Sequence, residues 1–378
     1  MTKDSLTTDL LSFLMDATTP FHAVGVMAER LLAAGFAPWS DASREPIVAG
    51  GKYFTVRNDS SLIAFTAGKD LSQGLRLVGA HTDSPNLSVR PNPSVNRFGC
   101  NLLAVDVYGG ALLNPWFDRD LSMAGKVSFE TGTGELVSRL IDFKAPVAVI
   151  PSLAIHLDRD ANKGRTVNPQ TDMLPLVSLS SGDGDFDIHA MLTAQIAAEY
   201  PDLDIKKILD WELSLYDTQA PGFVGLNSDF IASARLDNLL SCFGGLRAVI
   251  NSANSGEWNL FVANDHEEVG SASAVGAQGP MLNDVLRAIA PEPVDDRALR
   301  QSSWMLSVDN AHAIHPNYPT KHDELHAPLL GSGPVIKINR NQRYATSGEG
   351  AARVRLLAER AGVSVQSFVV RADMGCGS

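Results

Sequence analysis

The sequence predicts an α/β protein in which a doubly wound sheet domain is interrupted by an inserted, mainly β domain. Strand-like and helix-like runs alternate in the last third of the chain, which is typical of a doubly wound sheet. The middle third has strand patterns and turn-rich segments without that alternation. The 378 residues are also too many for one ordinary core. We therefore expect a discontinuous sheet domain at 1–92 and 221–378 and an inserted domain at 93–220.

Apolar residues at helical spacing predict two helices at the start of the chain. They recur over 10–14, behind the capping candidates Ser5 and Thr7, and again over 24–32. Pro20 is predicted to close the first helix, because proline does not fit a helix interior.

Three strand-like runs follow at 53–56, 62–65 and 75–80. The last is apolar at nearly every position, as expected of a central strand that is buried on both faces. It leads directly into His81, so this histidine is predicted to lie at the carboxyl end of a buried strand, where open α/β sheets bind their ligands.

The middle of the chain is predicted to be β-rich. Residues 103–108 alternate as a strand does, and the stretch 159–185, rich in Asn, Gly, Asp and Ser, is typical of an exposed loop. After Asp237 the alternation of helix and strand is plain. The predicted elements are helices at 239–250, near 282–289 and at 351–361, and strands at 260–263, 305–308, 335–338 and 368–371. We expect all four strands to belong to the doubly wound sheet.

The composition is that of a globular enzyme, with 44% apolar and 20% charged residues. A formal net charge of −12 argues against nucleic acid or an anionic membrane as the main partner, because both select basic surfaces. The three cysteines, Cys100, Cys242 and Cys376, are an odd number without a CxxC pair and indicate reduced thiols. Asp4 lies where a secretory signal has basic residues, so we expect a cytoplasmic protein.

Six acidic or imidazole side chains follow strand-like runs. They are His81, Asp83, Asp237, Glu267, Glu268 and Asp309. A pair of zinc ions that activates one water needs this inventory: a neutral imidazole, a shared carboxylate, terminal carboxylates and a carboxylate that acts as base. Taken singly, an aspartate here could equally be a helix cap or turn residue, and the two adjacent glutamates a solvated turn. Neighbouring side chains in a strand or tight turn point opposite ways, so one glutamate can bind metal while the other accepts a proton.

The motifs that contain these residues resemble the M18 family of dinuclear zinc aminopeptidases, the aspartyl aminopeptidases. The matching stretches span nearly the whole chain in family order and lie at 79–85, 116–121, 155–157, 234–238, 265–271, 309–318 and 333–337. The resemblance implies a zinc-peptidase sheet domain, an inserted dimerisation domain and two Zn²⁺ ions per subunit. It also implies a hydrolase that removes the N-terminal residue of peptides, with a preference for Asp or Glu.

The same resemblance assigns roles in the metal site. His81 and Asp309 would hold one zinc and Glu268 the other, with Asp237 bridging the two. Glu267 would be the general base, and Asp83 would assist catalysis by holding the second imidazole nitrogen of His81.

Four more residues resemble substrate-binding positions of the family. His156 matches a histidine that reaches a neighbouring subunit, and Lys337 matches the basic residue of the pocket for the N-terminal side chain. His312 and His315 match other pocket positions; from sequence alone, all four could be ordinary surface residues. The implied partners are peptides and further copies of the chain, in a homo-oligomer built from dimers and reaching a dodecamer, with no nucleic acid or membrane.

One family ligand has no counterpart in this sequence. The family completes its second zinc with a histidine that lies beyond the position of Ser378, and we expect it to be missing from this chain. Two alternatives to an acid-specific aminopeptidase therefore stay open. One is a catalytically silent family member or a truncated product that acts as an assembly or binding subunit, and the other is a related zinc aminopeptidase that prefers neutral residues.

Overall fold

The computed structural model describes residues 5–40, 42, 45–180 and 186–375, and the chain forms two compact units, Met1–Asp309 and Asn310–Ser378. The helices among these residues are α1 Ser5–Asp16, α2 Pro20–Ala33, α3 Ala161–Gly164, α4 Pro169–Asp172, α5 Ile188–Glu199, α6 Leu236–Asn251, α7 Met281–Ile289, α8 Pro293–Ser302 and α9 Gly348–Ala361. The strands are β1 Ala37–Pro38, β2 Lys52–Arg57, β3 Ser61–Thr66, β4 Arg76–His81, β5 Asn86–Arg97, β6 Cys100–Tyr108, β7 Leu121–Thr131, β8 Leu136–Asp142, β9 Leu176–Leu179, β10 Ile205–Asp217, β11 Gly222–Val224, β12 Phe230–Ala232, β13 Asn259–Asn264, β14 Trp304–Ser307, β15 Val335–Lys337 and β16 Gln366–Phe368.

The first sheet is mixed, with the strand order β1-β2-β3-β13-β4-β14. Strand β4 lies between β13 and β14 and runs parallel to both, whereas β3 is antiparallel to its neighbours β2 and β13. Alternate residues of β3 and β13 enter two different cores, one shared with α1, α2 and α6 and the other with α7 and α8. Helices therefore cover both faces, and the predicted α/β class is confirmed.

Helix α6 lies very close to this sheet. A Cβ atom added at Gly245, in the middle of the helix, would lie 2.4 Å from the ring of Phe261 on β13, so only glycine fits at this distance. Phe261 is fully buried and packs in the core that α6 shares with α1 and α2. The contact fixes the distance between the helix and the strand beneath it.

The second sheet is antiparallel, with the order β8-β7-β10-β5-β6-β9. Its core includes Phe129, Leu213 and Leu192, the last from α5, which covers one face. All its strands lie between Asn86 and Asp217. The more exact boundaries expected for an inserted domain, 93 and 220, stay a prediction.

Three expectations from the sequence differ from the structure. Helix α1 ends at Asp16, so Pro20 does not end it. Pro20 is instead the first residue of α2, where its fixed φ suits the start of a helix. Thr19 caps α2 by accepting a hydrogen bond from the N–H of His22. The stretch 159–185 is not simply a loop, because it contains α3, α4 and β9, while 181–185 lie outside the described residues.

The third difference concerns the last two strands. In place of extending the first sheet, β15 and β16 pair with each other in parallel, with Val335 opposite Gln366 and Lys337 opposite Phe368. Helix α9 connects them, and such a crossover brings the following strand back beside the preceding one. Periodicity thus predicts the elements of this second unit but not the sheet to which they belong. Among the described residues, no helix is both long enough and apolar enough to span a membrane.

Candidate metal centre

Three neighbouring strands of the first sheet bring polar side chains to the same edge. His81 is the last residue of β4, Glu267 and Glu268 follow the end of β13, and Asp309 follows the end of β14. Because β4, β13 and β14 are parallel neighbours, their carboxyl ends lie side by side. These four residues therefore lie at the carboxyl ends of the strands, as the sequence predicted.

Asp237 reaches this edge from the start of α6. Its backbone and that of Asn238 are not helical, and a cis peptide bond joins the two residues. The hydroxyl of Ser84 donates a 2.6 Å hydrogen bond to the Asp237 carbonyl, and the amide Nδ2 of the fully buried Asn238 donates to the Val308 carbonyl at 2.9 Å. These bonds hold the first turn of α6 against the ends of β4 and β14.

His81, Asp237 and Asp309 together form a cluster that fits a metal ion. The Nε2 atom of His81 lies 3.5 Å from Oδ1 of Asp237 and 3.6 Å from Oδ1 of Asp309. One ligand atom from each residue lies within 4.8 Å of the other two. Zinc holds its N and O ligands at about 2.0–2.2 Å, so tetrahedral ligand atoms lie about 3.3–3.6 Å apart. The spacing observed around His81 agrees with that geometry.

Asp83 holds the opposite side of the imidazole. The Nδ1 atom of His81 lies 3.1 Å from the Asp83 carbonyl oxygen and 3.3 Å from Oδ1 of its carboxylate. Metal-binding histidines commonly use their second nitrogen in this way, which leaves the other one to face the metal. Asp83 is fully buried, and its carboxylate also accepts hydrogen bonds from the backbone N–H groups of Glu267 and Glu268, both at 3.1 Å.

The two glutamates lie in a short 3-10 turn that begins after His266, whose φ is +65°. The Oε2 atom of Glu267 is 3.8 Å from Nε2 of His81. Among the described residues, the three-residue metal cluster does not include Glu268. The adjacent pair is thus part of the site, while the division of roles between the two carboxylates stays a prediction.

Crowding of carboxylates shifts the pKa values at this site. Burial lowers the pKa of His81, but hydrogen bonds to acidic neighbours, the largest from Asp237, outweigh burial and raise it to about 12. Burial raises the pKa of Glu268 to about 7; the charge of His81 opposes this shift, while those of Asp237 and Asp83 add to it. The carboxylates and the imidazole thus lie close together, and divalent cations would offset the negative charge of this set, so the donor set fits zinc.

The sequence alone did not single out Tyr108, which belongs to the second sheet. Its hydroxyl donates a 2.7 Å hydrogen bond to Oδ2 of Asp83. The sequence indicated only that Cys242 is a reduced thiol; in the structure this thiol, in α6, donates to the carbonyl of His81 at 3.0 Å. A tyrosine that ends a strand before Gly109-Gly110 is a signal, but nothing local identifies its partner.

His156 lies apart from these residues, on the exposed turn 155–157. Its Nδ1 atom is 3.5 Å from a guanidinium nitrogen of Arg159. The leucines on either side, Leu153 and Leu157, are also exposed, which is unusual for large apolar side chains so close together.

The other predicted substrate residues belong to the second unit, and their roles stay predictions. Nζ of Lys337 donates to the carbonyl of Asn310 at 2.7 Å. His312 makes an edge-to-face contact with Phe368, with ring centroids 5.0 Å apart, and His315 is exposed.

Comparison with known proteins identifies extensive similarity. Residues 13–378 match the family described as aminopeptidase I zinc metalloprotease (M18). The probable M18 family aminopeptidase 2 of Pseudomonas entomophila (strain L48) is 54% identical over 378 residues, which are 100% of this chain and 87% of that protein. Ape4 in its cryo-EM complex with Nbr1 has a TM-score of 0.92 and 35% identity, covering 99% of this chain and 76% of its own. The mApe1 dodecamer of S. cerevisiae has a TM-score of 0.84 and 27% identity, and the match covers 97% of this chain and 85% of the mApe1 chain.

Proposed function

We propose a preferred substrate and a set of catalytic roles for this chain, which belongs to the M18 family of zinc metalloproteases and is an aminopeptidase, a hydrolase that removes the N-terminal residue of peptides. The proposed substrates are peptides that begin with Asp or Glu. The catalytic roles rest on one observation. One ligand atom each from His81, Asp237 and Asp309 lies within 4.8 Å of the other two, at the edge where the strands of the first sheet end.

We assign two zinc ions to the acidic cluster. His81 and Asp309 would hold one ion and Glu268 the other, with Asp237 shared between them, as the family resemblance implies. Zinc, when bound, lowers the pKa of a coordinated water to about 7 and polarises the carbonyl of the scissile bond. Asp83 keeps the imidazole of His81 oriented through the 3.1 Å contact at Nδ1.

Glu267 is the proposed general base. Its carboxylate lies next to the cluster, and burial, opposed by His81 and supported by Asp309, raises its pKa above the usual value. A general base works best when its pKa is close to the working pH, because it must both accept and return a proton, and the raised pKa of Glu267 is closer to that value. Glu267 would take a proton from the attacking water and pass it to the leaving amine.

The proposed preference for an N-terminal Asp or Glu depends on a local positive charge. A protein with a formal charge of −12 repels an acidic peptide on average, so recognition of an N-terminal Asp or Glu requires a local cation. Lys337 is our candidate, because it is the basic residue of β15, whose other members are Val335 and Ile336, and because it matches the family's specificity position.

Lys337→Met is expected to lower kcat/KM for Asp- and Glu-terminated substrates by about ten- to over a hundredfold, since a charge-assisted hydrogen bond contributes about 1.5–3 kcal/mol. The rates for Leu- and Ala-terminated substrates should stay the same or rise. The measurement is a panel of aminoacyl amides assayed at saturating zinc. Lys206→Met, which removes an exposed lysine paired with Glu130 on the second sheet, is the matched control. A parallel loss on acidic and neutral substrates would refute the role of Lys337, and a wild-type preference for neutral residues would refute the proposed substrate.

We further propose that the chain works as a homo-oligomer in the cytoplasm, assembled through an inserted dimerisation domain at 93–220. The related mApe1 of S. cerevisiae is a dodecamer. The exposed turn that carries His156 lies within these boundaries, and its apolar neighbours suit an interface. The two described cysteines, Cys100 and Cys242, are free, which suits a reducing compartment.

The trans role of His156 predicts complementation between two inactive variants. His156→Ala lacks the residue given to the neighbour, and Glu267→Gln lacks its own base. Co-expression in equal amounts is expected to restore about a quarter of wild-type activity, because half of the sites have an intact base and half of those face a partner with an intact His156. Activity is measured on the co-expressed protein purified through one tag that both variants carry, so that all pairings are kept. If the mixture stays as inactive as its components, His156 does not serve a neighbouring site.

A further inference from the structure

The end of strand β6 contacts the metal centre from the second sheet. Tyr108 is the last residue of β6, and Gly109 follows it. The Tyr108 hydroxyl donates to the Asp83 carboxylate at 2.7 Å, while Gly109 lies against Glu268. The last residue of β6 and the glycine after it thus contact two residues of the site that is built on the first sheet.

Asp83 connects this strand end to the groups proposed for catalysis. Its Oδ1 atom accepts from the N–H of Glu267 and lies 3.3 Å from Nδ1 of His81. Its Oδ2 atom accepts from the N–H of Glu268 and from the hydroxyl of Tyr108. A displacement of this one carboxylate would therefore move an imidazole and both glutamates together.

The hydrogen bond from Tyr108 has a fixed direction. Burial, followed by the neighbouring charge of Asp83, raises the pKa of the Tyr108 hydroxyl well above its usual range, so the group stays a donor. Asp83 has no exposed surface, so water cannot readily replace a donor that is removed. A buried acceptor that loses its partner is destabilised by its unmet desolvation cost, or it moves to find another donor.

Gly109 places the same strand end directly against the turn of the two glutamates. Its φ is +70°, and a Cβ atom added there would lie 2.9 Å from the Cβ of Glu268. Both the backbone conformation and the distance require glycine. The contact limits how far the Glu268 side chain can move away from the cluster.

We propose that Tyr108 and Gly109 are positioning residues for the peptidase reaction, through which the second sheet sets the placement of Asp83, Glu267 and Glu268. The inference rests on the roles proposed above for the two glutamates. Tyr108 acts through Asp83, and Gly109 acts by direct contact with Glu268. The catalytic geometry then depends on both sheets, although its ligands come from the first sheet and from α6.

The first test is Tyr108→Phe, which keeps the ring and removes the hydroxyl. Loss of a partner that orients metal ligands commonly costs about 10- to 100-fold in metal affinity or activity. We expect kcat to fall by about tenfold, zinc affinity to weaken, and KM to change by less than about twofold. Tyr200→Phe is the matched control, because Tyr200, at the end of α5, donates a similar 2.8 Å hydrogen bond to the carbonyl of Leu140 on β8. The control should lose comparable thermal stability with unchanged kcat.

A double-mutant cycle separates positioning from general destabilisation. In an Asp83→Asn background, Tyr108→Phe is expected to change kcat by less than about twofold, because the two residues act as one unit. Wild-type kcat and zinc affinity in the Tyr108→Phe protein, or independent effects of the two substitutions, would overturn the proposal.

Gly109→Ala supplies a second, independent variant. It changes no residue that hydrogen-bonds to Asp83, and it is expected to weaken zinc retention by displacing the side chain of Glu268. Zinc titration of all variants gives a readout that does not need activity. An inactive wild-type protein would contradict the proposed function alone, whereas unchanged zinc affinity in both Tyr108→Phe and Gly109→Ala would contradict this inference alone.

Discussion

Glu267→Gln is expected to leave zinc bound and to lower kcat by about 10²–10⁴-fold, the usual contribution of a general base. Glutamine has nearly the same shape as glutamate, so the backbone bond from residue 267 to Asp83 should persist. What is lost is the ability to accept a proton next to the cluster, where Oε2 of Glu267 lies 3.8 Å from His81. Because the step lost is chemical, kcat should fall while KM stays near its wild-type value.

The measurement pairs steady-state kinetics with zinc content determined by mass spectrometry. Glu268→Gln is the matched control, since it makes the same chemical change at the adjacent position. That control is expected to lose zinc as well as activity, because Glu268 is assigned as a ligand. Retained turnover in a zinc-replete Glu267→Gln protein would contradict its role as the base, and an inactive Glu268→Gln protein that keeps its zinc would exchange the roles of the two residues.

Asp237→Asn is expected to remove both zinc ions and all measurable turnover. Asp237 is proposed to bridge, so its loss takes a ligand from each ion and leaves two divalent cations facing each other without an intervening negative charge. Asp309→Asn, by contrast, removes a ligand from only one ion. Both carboxylates lie at almost the same distance from Nε2 of His81, 3.5 and 3.6 Å, so distance from the imidazole does not explain a larger loss in Asp237→Asn.

Zinc retained after dialysis against a weak chelator distinguishes the two variants. We expect fewer zinc ions per chain in Asp237→Asn than in Asp309→Asn, and circular dichroism should confirm that both proteins are folded. Equal metal loss in the two would contradict a bridging role. Full retention in both would contradict the metal site as assigned.

The edge of the sheet at which the site lies could be predicted from the sequence, because it depends on a local rule. A buried strand that ends at His81, and later strands that end just before Glu267 and Asp309, must place these residues together if the strands are parallel neighbours. The parallel order of β13, β4 and β14 satisfies that condition.

Contacts between elements far apart in the chain could not be predicted in this way. The bond from Tyr108 to Asp83 joins a strand of the second sheet to a loop of the first, and no periodicity specifies such a pair. The pairing of β15 with β16 is similar: the pattern predicts two strands and a helix, while the choice of sheet depends on tertiary packing. Pro20 illustrates a smaller ambiguity, because proline fits the first turn of a helix as well as the position after one.

The glycine in the middle of α6 has a mechanical consequence for the metal centre. Gly245 rests on Phe261, while Asp237 lies eight positions nearer the start of the same helix. The backbone is helical only from Leu239 onward, six positions from Gly245, so at about 1.5 Å per residue the first regular turn lies about 9 Å from Gly245 along the axis. A tilt of about 10° about this contact would displace the first turn of α6 by about 1.5 Å. A shift of that size exceeds the tolerance of about 0.5 Å for a working metal site, so we expect the close packing of Gly245 on Phe261 to help keep Asp237 in place.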